Sequence, residues 1–557
     1  MPQQESLSLG RPTFNDTTLD ARAKAGDNLG AWRTALALGP AAAARSVSGD
    51  FAIGLREASG RVFLAVDRFA IRTLCYRVVD GDMRFAARAD ELADAEPELD
   101  PQAIFDYLYF HAIPSPRTIF KGVLRVPPGH YVLYQQGQLT VAPYWVPEFK
   151  PPSGRASFPA LKDEFRSLLH NAVKRQLDGS KAACFLSGGT DSSTVTGLIR
   201  EVTGQAAASY SIGFEAEGYD EMEFARIAAR HFGAEHHEYY VTPDDLVRSI
   251  ADVAASYDQP FGNSSALPAY YCAKVAHDDG ISKILAGDGG DELFGGNSRY
   301  AKQRVFGWYR GVPAPVRAAL LEPLFESTPL GRAPLLRKGT SYIEQAKVPM
   351  PDRLQMYNLL RRLGADNVLT PGFLGLVDQQ GPARQQREVW SLPVAENEID
   401  RTLAFDWRYT LAESDLPKVC GTTRLAGVDV GFPFLDQALL DFSMRLPPQY
   451  KLKGLKLRWF FKEALRDFLP GAVITKRKQG FGLPFGVWTT KHAGLRKLAV
   501  DSLHSLAGRG IVRPAFIKEL VETYMPQHPG YYGELIWILM ILEQWMQRHA
   551  PSFKVRH

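Results

Sequence analysis

A run of small, hydroxyl and acidic residues, SGGTDS at 187–192, directly follows a short apolar stretch. Adjacent glycines weaken a strand and leave the backbone open to close approach. If they end a buried strand and open a helix, backbone N–H groups and the positive helix end meet at one place, which suits an anion. No Gly-Lys-Ser/Thr follows, so this is not the usual kinase-type phosphate loop. A metal ion must then help to neutralise the anion, and Asp191 is a natural Mg²⁺ ligand.

A second glycine-rich run, LAGDGGDELFGG at 285–296, carries three acids, Asp288, Asp291 and Glu292. Carboxylates this close together are unfavourable unless a cation lies among them. A solvated acidic turn would explain one aspartate, but it explains three acids among five glycines poorly. One anion-binding loop and one cation-binding loop together predict a site for a Mg-nucleotide.

The elements around both loops alternate between strand and helix from about residue 155 to 300. Short apolar runs such as KAACFLS, AAASYSIGF and ISKIL read as strands, and DSSTVTGLIREVTG and DEMEFARIAARHFG read as helices. This alternation predicts an α/β class with a doubly wound parallel sheet, whose ligands bind beyond the carboxyl ends of the strands. Residues from about 300 onward are predicted to be mostly helical, so the second domain, 155–557, has a helical C-terminal part.

The first 150 residues follow a different pattern, with hairpin signals at Ser-Gly, Asp-Gly and Gln-Gly. They predict an α+β domain, 1–150, that ends in a Pro- and Gly-rich break at 145–158.

Composition excludes several classes of partner. A net charge of +4 over 557 residues disfavours nucleic acid. The four cysteines lie far apart without CxxC spacing, which argues against a zinc site and suits a reducing cytoplasm. The N-terminus has no apolar signal segment, and the apolar C-terminal run ELIWILMILEQW is too short and interrupted to span a bilayer. We therefore expect a cytoplasmic protein without a membrane partner and leave its oligomeric state open, a homodimer included.

Both loops carry a family resemblance. FLSGGTDSS resembles the SGGxDSS pyrophosphate loop of the N-type ATP pyrophosphatases, and LAGDGGDELFGG resembles the second signature of asparagine synthetases. GFPFLDQALLDFSMRLPPQYK and TKRKQGFGLPFGVW extend the resemblance across residues 155–545. VSGDFAIGLREASGRVFLAVDRF resembles the back half of the family's glutaminase domain, an Ntn-hydrolase sandwich.

The resemblance implies that ATP activates a carboxylate as an acyl-adenylate, which a nitrogen nucleophile attacks to form an amide. It implies that Asp191 and Asp291 bind Mg²⁺, that Lys478 stabilises the transition states, and that Asp288 lies near the nucleophile. It assigns pyrophosphate binding to Ser187, Gly188, Gly189, Asp191 and Ser192, and adenosine binding to Leu186, Ile212, Ala286 and Gly287. Lys476 and Arg477 are expected to be solvated or to face pyrophosphate.

Two departures from the family pattern limit what carries over. The family's glutaminase uses a cysteine directly after the initiator Met, whereas position 2 here is Pro2 and the first cysteine is Cys75. We therefore expect a truncated, degenerate glutamine amidotransferase domain without glutaminase chemistry. Before PFLD, Asp429 and Gly431 replace an acid and an arginine of the family pattern. Loss of a positive charge near the synthetase site puts aspartate in doubt as the substrate. The replaced segment TTRLAGVDVGF fits a pocket wall reshaped for a larger substrate.

The sequence therefore predicts a Mg²⁺- and ATP-dependent, AMP-forming amide synthetase that joins a small-molecule or peptide carboxylate to an amine or ammonia, as the related β-lactam synthetases and lasso-peptide cyclases join an amine. Two alternatives stay open. One is an asparagine synthetase, either ammonia-using or glutamine-hydrolysing with a truncated reading frame. The other is a catalytically inactive family member that acts as a binding module.

Overall fold

The structure, a computed structural model, describes residues 6–151, 157–317, 319, 337–477, 480 and 482–555. Its strands are β1 (Ser6–Gly10), β2 (Thr13–Phe14), β3 (Val47–Ser48), β4 (Phe51–Arg56), β5 (Val62–Val66), β6 (Cys75–Val79), β7 (Asp82–Ala86), β8 (Leu124–Arg125), β9 (His130–Gln135), β10 (Gln138–Pro143), β11 (Ala183–Phe185), β12 (Ala208–Phe214), β13 (Glu235–Val241), β14 (Lys283–Leu285), β15 (Asp429–Gly431), β16 (Leu452–Lys453) and β17 (Lys456–Leu457).

The described helices alternate with these strands and dominate the C-terminal half. The longer ones are Thr17–Lys24, Asn28–Leu36, Pro101–Phe110, Phe158–Gln176, Thr190–Thr203, Met222–Phe232, Pro243–Ser256, Ala266–Asp278, Ser298–Gly311, Arg337–Lys347, Gly381–Ser391, Glu398–Asp406, Leu416–Ala426, Gln437–Arg445, Ala493–Gly508 and Pro529–His549. The shorter ones are Pro40–Arg45, Gly290–Phe294, Ala314–Val316, Leu359–Leu363, Ala365–Val368, Pro371–Leu374, Pro448–Lys451, Trp459–Ala464, Gly471–Thr475, Phe485–Lys491, Pro514–Glu519 and Met525–Gln527, together with 3₁₀ turns at Asp90–Leu92, Asp352–Gln355 and Pro433–Leu435 and π-helical turns at Trp407–Asp415 and Leu520–Tyr524.

The N-terminal region is built on antiparallel sheets, as its hairpin signals predict. One sheet has the order β1-β4-β5-β9-β10 and a second has the order β7-β6-β8. The pairs β4–β5, β6–β7 and β9–β10 are the hairpins expected at the Ser-Gly, Asp-Gly and Gln-Gly turns. Trp32, fully buried, packs with Phe14 and Phe51 between the sheet and the flanking helices.

The second region is organised around a parallel sheet of order β13-β12-β11-β14-β15. The chain winds outward from β11 to β13 and then returns to β14 on the other side of β11. This reversal between β11 and β14 is the switch point at which doubly wound sheets bind ligands. The predicted α/β class, with an N-terminal α+β domain and a helical C-terminal part, is confirmed. The boundary between 1–150 and 155–557 stays a prediction.

Long-range ion pairs and a buried hydrogen bond join the two regions. Arg125 of β8 contacts Glu413 at 2.6 Å, and both side chains are buried. Arg72 contacts Asp429 of β15 at 3.1 Å. Tyr107 donates its hydroxyl to the Ile538 carbonyl within the C-terminal helix at 2.8 Å. That helix, predicted to be buried, lies in the core of the molecule. Within the described residues, no helix has both the length and the apolar character needed to cross a membrane.

Candidate functional site

The two glycine-rich loops leave adjacent parallel strands at the same edge of the sheet. β11 ends at Phe185 and β14 at Leu285, and the two strands are hydrogen-bonded neighbours. The loops open on a cavity of about 1090 Å³, which we call the strand-end cavity. The predicted site residues that line it are Leu186, Ser187, Gly189, Asp191, Ser192, Ile212, Gly287, Asp288 and Asp291.

Two glycines explain why the loops can fold so tightly. Gly188 has φ +67°, and a Cβ there would lie 2.4 Å from the backbone of Phe224 and Ala225. A Cβ on Gly287 would lie 2.9 Å from the amide nitrogen of Ser192, so the second loop rests directly on the first. Gly188 therefore serves packing and conformation, and it does not line the cavity.

The first loop presents hydrogen-bond donors to the cavity. The helix Thr190–Thr203 begins directly after Gly189, which has no side chain with which to cap the first amides of the helix. The Ser187 and Ser192 hydroxyls lie 3.1 Å apart, and the Ser187 amide donates to Ser192 Oγ at 3.1 Å. Together with the positive helix end, these groups form a site suited to a phosphate group.

Arg458 joins the two predicted metal ligands. Its Nη1 donates to Asp191 Oδ2 and to Asp291 Oδ1, each at 2.7 Å, and its Nη2 also contacts Asp191. The arginine side chain is 5% exposed, and its guanidinium carbon lies 3.9 Å from the centre of the Phe461 ring. Although burial opposes it, the two carboxylates raise the Arg458 pKa above its ordinary value. Asp191 and Asp291, the two predicted metal ligands, therefore both contact the same cation, Arg458.

Asp288 faces the same cavity in a different electrostatic setting. Its carboxylate lies 3.7 Å from Lys418 Nζ, which also contacts Asp415 at 3.1 Å. Burial raises the pKa of Asp288 to about 6, although Lys418 opposes that shift. Although burial lowers it, Asp415 and Asp288 together raise the pKa of Lys418. Asp288 thus gains a proton at a pH where an exposed aspartate stays ionised.

Two further lysines, Lys476 and Lys462, belong to this site, and the sequence does not predict Lys462. Lys476 is not solvated, because its side chain is 9% exposed and pairs with Glu221 at 3.2 Å; the alternative, that it faces pyrophosphate, stays a prediction. Lys462 donates to the Ile474 carbonyl at 2.8 Å, and burial, then Arg458, lowers its pKa. Both lysines line the strand-end cavity. Lys478, the predicted catalytic lysine, lies outside the described residues.

Only some of the residues predicted to bind adenosine line the strand-end cavity. Leu186 and Ile212 line the strand-end cavity, but Ala286 is fully buried and does not line it. The Ala286 amide donates to the Gly431 carbonyl at 2.9 Å, which commits its N–H to the sheet. The Ala286 N–H is therefore not available to a nucleotide.

The substituted segment before PFLD does not form the expected wall. Asp429 lies at the start of β15, away from the loop edge, and pairs with Arg11 at 3.2 Å and Arg72 at 3.1 Å. Gly431 is packed beneath Gln176, whose side-chain oxygen lies 2.5 Å from where a Cβ would be. Neither residue lines the strand-end cavity. The interpretation of these two positions as a reshaped substrate wall is wrong, because Asp429 pairs with arginines of the N-terminal region and Gly431 packs against Gln176 and Leu285 within the second region.

The cysteines are poorly placed for nucleophilic chemistry. Cys75 is fully buried in β6, and burial raises its pKa well above the ordinary value. Burial also raises the pKa of Cys184 and Cys420 to about 12 and moves that of Cys272 in the same direction. Since the thiolate is the reactive form, none of these thiols is activated.

Comparisons with known proteins match both regions of the chain to known families. Residues 164–547 match the family model described as asparagine synthase, and residues 33–145 match that of a glutamine amidotransferase domain. The chain is 25% identical to asparagine synthetase [glutamine-hydrolyzing] 1 of Bacillus subtilis (strain 168), over 92% of this chain and 79% of the relative.

Two further relatives are similar over comparable shares of both chains. A putative asparagine synthetase [glutamine-hydrolyzing] of Mycobacterium tuberculosis (strain ATCC 25618 / H37Rv) is 26% identical over 89% of this chain and 76% of its own. Amidase chyE of Penicillium rubens (strain ATCC 28089 / DSM 1075 / NRRL 1951 / Wisconsin 54-1255) is 29% identical over 79% of this chain and 70% of its own. With a synthase model that covers most of its length, the chain belongs to the asparagine synthase family.

Proposed function

We propose that this protein is an ATP-dependent ligase that adenylates a substrate carboxylate and transfers the acyl group to an amine or to ammonia, releasing AMP and pyrophosphate. The observation that carries the proposal is the convergence of both strand-end loops on one cavity. That cavity presents phosphate-binding donors, a pair of carboxylates and a carboxyl group of raised pKa. ATP phosphates fit the first loop, because the Thr190–Thr203 helix end and the serine hydroxyls favour an anion there.

Asp191 and Asp291 fit a divalent cation. Two carboxylates that reach one guanidinium nitrogen can also reach one ion, and oxygen donors are what Mg²⁺ prefers. No group of three or more His, Cys, Asp or Glu side chains in the described part of the chain could hold a metal ion. Phosphate and water oxygens would therefore complete the shell. When bound, Mg²⁺ would neutralise charge on the pyrophosphate leaving group.

Arg458 holds this site ready before nucleotide binds. Two carboxylates close together repel each other, and a buried arginine between them removes that repulsion. An ion that takes the oxygens now held by the guanidinium nitrogen, Asp191 Oδ2 and Asp291 Oδ1, displaces hydrogen bonds of Arg458. Its released donors can then turn toward a phosphate, since arginine favours phosphate oxygens.

Asp288 is proposed as the group that takes the proton of the attacking nitrogen. A base works best when its pKa lies near the working pH, and burial brings that of Asp288 to about 6. Lys418, 3.7 Å away, opposes the rise in the Asp288 pKa and so favours the ionised, proton-accepting carboxylate. Lys478 is proposed, from the family pattern, to stabilise charge in the transition state.

We further propose that glutamine is not the nitrogen source. The argument rests on the thiols: Cys75, the cysteine of the amidotransferase-like region, is buried within a strand and held in its thiol form. Asparagine synthesis from ammonia stays a second candidate, because two of the relatives described above are named asparagine synthetases. An amine carried on a bound substrate has an advantage over free ammonia, since positioning can contribute roughly 7 kcal/mol of the barrier.

Exchange of labelled pyrophosphate into ATP tests the adenylation step. A panel of carboxylates, aspartate included, is incubated with the protein, MgCl₂, ATP and labelled pyrophosphate. We expect one acid class to stimulate exchange, and Asp191→Asn to lower it roughly 10²-fold because metal-assisted charge neutralisation is worth several kcal/mol. Asp252→Asn, an exposed aspartate in the Pro243–Ser256 helix, is the matched control. Release of ADP and orthophosphate in place of AMP and pyrophosphate would refute the proposal.

A further inference from the structure

A second cavity, of about 600 Å³, lies where the N-terminal region meets the helical part of the second region. We call it the junction cavity. Its wall includes the end of the Pro101–Phe110 helix, the Ser298–Gly311 helix and the π-helical segment Trp407–Asp415. Its volume falls within the range of small-molecule binding sites.

The junction cavity adjoins the strand-end cavity. Thr410 lines both of them. Four residues further on, Ser414 lines the junction cavity and accepts from Asn263 Nδ2 at 3.1 Å, and Asn263 lines the strand-end cavity. The next residue, Asp415, pairs with Lys418 beside Asp288. The π-helical segment Trp407–Asp415 therefore lies between the two cavities, and its Thr410 lines both.

Aromatic rings form much of the junction cavity's wall. The ring of Tyr409 stacks on Phe110 with centroids 5.3 Å apart and packs against Phe405 at 4.7 Å. Phe306 is 2% exposed and lies under the guanidinium of Arg353 at 5.1 Å. Flat, apolar surfaces of this kind favour a ring-bearing ligand.

Two buried polar atoms of the wall have no hydrogen-bond partner among the described residues. These are Nε2 of Gln386, a side chain in a residue only 2% exposed, and Oη of Tyr409. A buried polar group without a partner destabilises the folded protein, so native structures rarely keep one without a reason. The amide nitrogen can only donate, and therefore requires an acceptor atom from whatever occupies the cavity.

The charged side chains of the wall are mainly cationic. Arg299, Lys302 and Arg353 line the cavity, against one acid, Glu413. Glu413 is already paired with Arg125 and Arg408. Arg299 is paired with Asp406 at 2.7 Å, and Arg353 lies 4.0 Å from Glu398. Lys302 is exposed and has no ion pair with any residue that the structure describes, so the excess positive charge is that of Lys302. The excess positive charge favours an anionic ligand.

We propose that the junction cavity binds the body of the substrate, a small molecule that carries an aromatic ring and a carboxylate, and directs its reacting group past Thr410 into the strand-end cavity. This inference rests on the proposed function and names its substrate class. The ring lies among Phe306, Phe405 and Tyr409, and the carboxylate accepts from Gln386 and is attracted by Lys302. The same chemistry suits either the acid that is activated or an amine that carries its own carboxylate.

Isothermal titration calorimetry without ATP tests the binding, with 4-hydroxybenzoate and L-tyrosine as probes and tyramine as the probe without a carboxylate. We expect a carboxylate-bearing probe to bind and tyramine to bind on the order of tenfold more weakly. Lys302→Glu should weaken binding by a similar factor. Arg304→Glu, an exposed residue of the same helix that does not line the cavity, should leave it within about twofold.

Gln386→Leu supplies a second readout. Because it replaces an unpaired buried amide with an apolar group of similar size, the thermal midpoint of the free protein should stay equal or rise, while probe affinity falls several-fold. Binding of 4-hydroxybenzoate that stimulates pyrophosphate exchange assigns the cavity to the activated acid. Binding of L-tyrosine alone, with conversion to an amide, assigns it to the amine.

Three results would overturn the inference: no carboxylate probe binds, Lys302→Glu and Arg304→Glu bind alike, or bound probes neither stimulate exchange nor form an amide when another acid supports AMP formation. Failure of every acid to yield AMP is a separate result. It would overturn the proposed function. Probe binding to the junction cavity is measured by calorimetry without ATP, so the two failures can be told apart.

Discussion

Replacement of Arg458 by methionine removes the cation between Asp191 and Asp291 while it keeps an unbranched apolar chain against Phe461. Loss of one partner from a buried ion pair destabilises a protein by about 3–5 kcal/mol. Since the two carboxylates keep 18% and 20% exposure, we take the lower end, about 3 kcal/mol. For a domain of some 400 residues, that corresponds to a fall of about 4 °C in the thermal midpoint.

The variant should also acquire a response to magnesium in the absence of ATP. With both carboxylates released, 10 mM MgCl₂ acting on a site with a Kd of about 1 mM restores about 1.4 kcal/mol, or about 2 °C. Wild type should respond less, because Arg458 occupies the same oxygens.

Differential scanning fluorimetry measures both effects. Arg445→Met is the matched control, because Arg445 also pairs with a carboxylate and lies over a phenylalanine ring, but is half exposed. It should cost at most about 1 kcal/mol. An Arg458→Met protein with the wild-type midpoint, or an equal magnesium response in both proteins, would refute the reasoning.

Three further predictions concern catalysis. Asp288→Asn should lower turnover by roughly 10²–10⁴-fold, and it should remove an acid limb that, in wild type, rises with pH through about 6 as Asp288 loses its proton; a pH profile of kcat/KM checks this. Lys478→Ala should keep ATP affinity within a few fold and lower turnover roughly 10²–10³-fold, whereas lost affinity at unchanged turnover would make it a nucleotide clamp. Glutamine should yield no glutamate above background, and a cysteine-directed glutamine analogue should not label Cys75, as mass spectrometry can establish.

The sequence was most informative where chemistry and local structure depend on adjacent residues. The loops at 187–192 and 287–292 follow buried strands, and parallel strands bring such loops to one edge, so their meeting could be predicted. The two aspartates on these loops were identified for the same reason.

The rest of the site depends on distant parts of the chain. Arg458 reaches Asp191 from 267 residues away, at φ +53°, a backbone region that non-glycine side chains rarely adopt. Nothing local marks it. Lys418 similarly approaches Asp288 only through the packing of the Leu416–Ala426 helix. The contacts of Asp429 could not be predicted either. Its closeness to PFLD in sequence does not show that it lies at the start of β15, beside arginines of the N-terminal region.

The most direct test of the central claim follows oxygen from the carboxylate into the nucleotide. The activating acid, labelled with ¹⁸O in its carboxylate, is incubated with the protein, ATP, MgCl₂ and an amine or ammonium, and the nucleotide products are examined by mass spectrometry. An acyl-adenylate leaves one carboxylate oxygen on the phosphate of AMP when nitrogen displaces it, so we predict AMP that carries one ¹⁸O atom. Label in orthophosphate together with ADP, or AMP without label, would contradict the account.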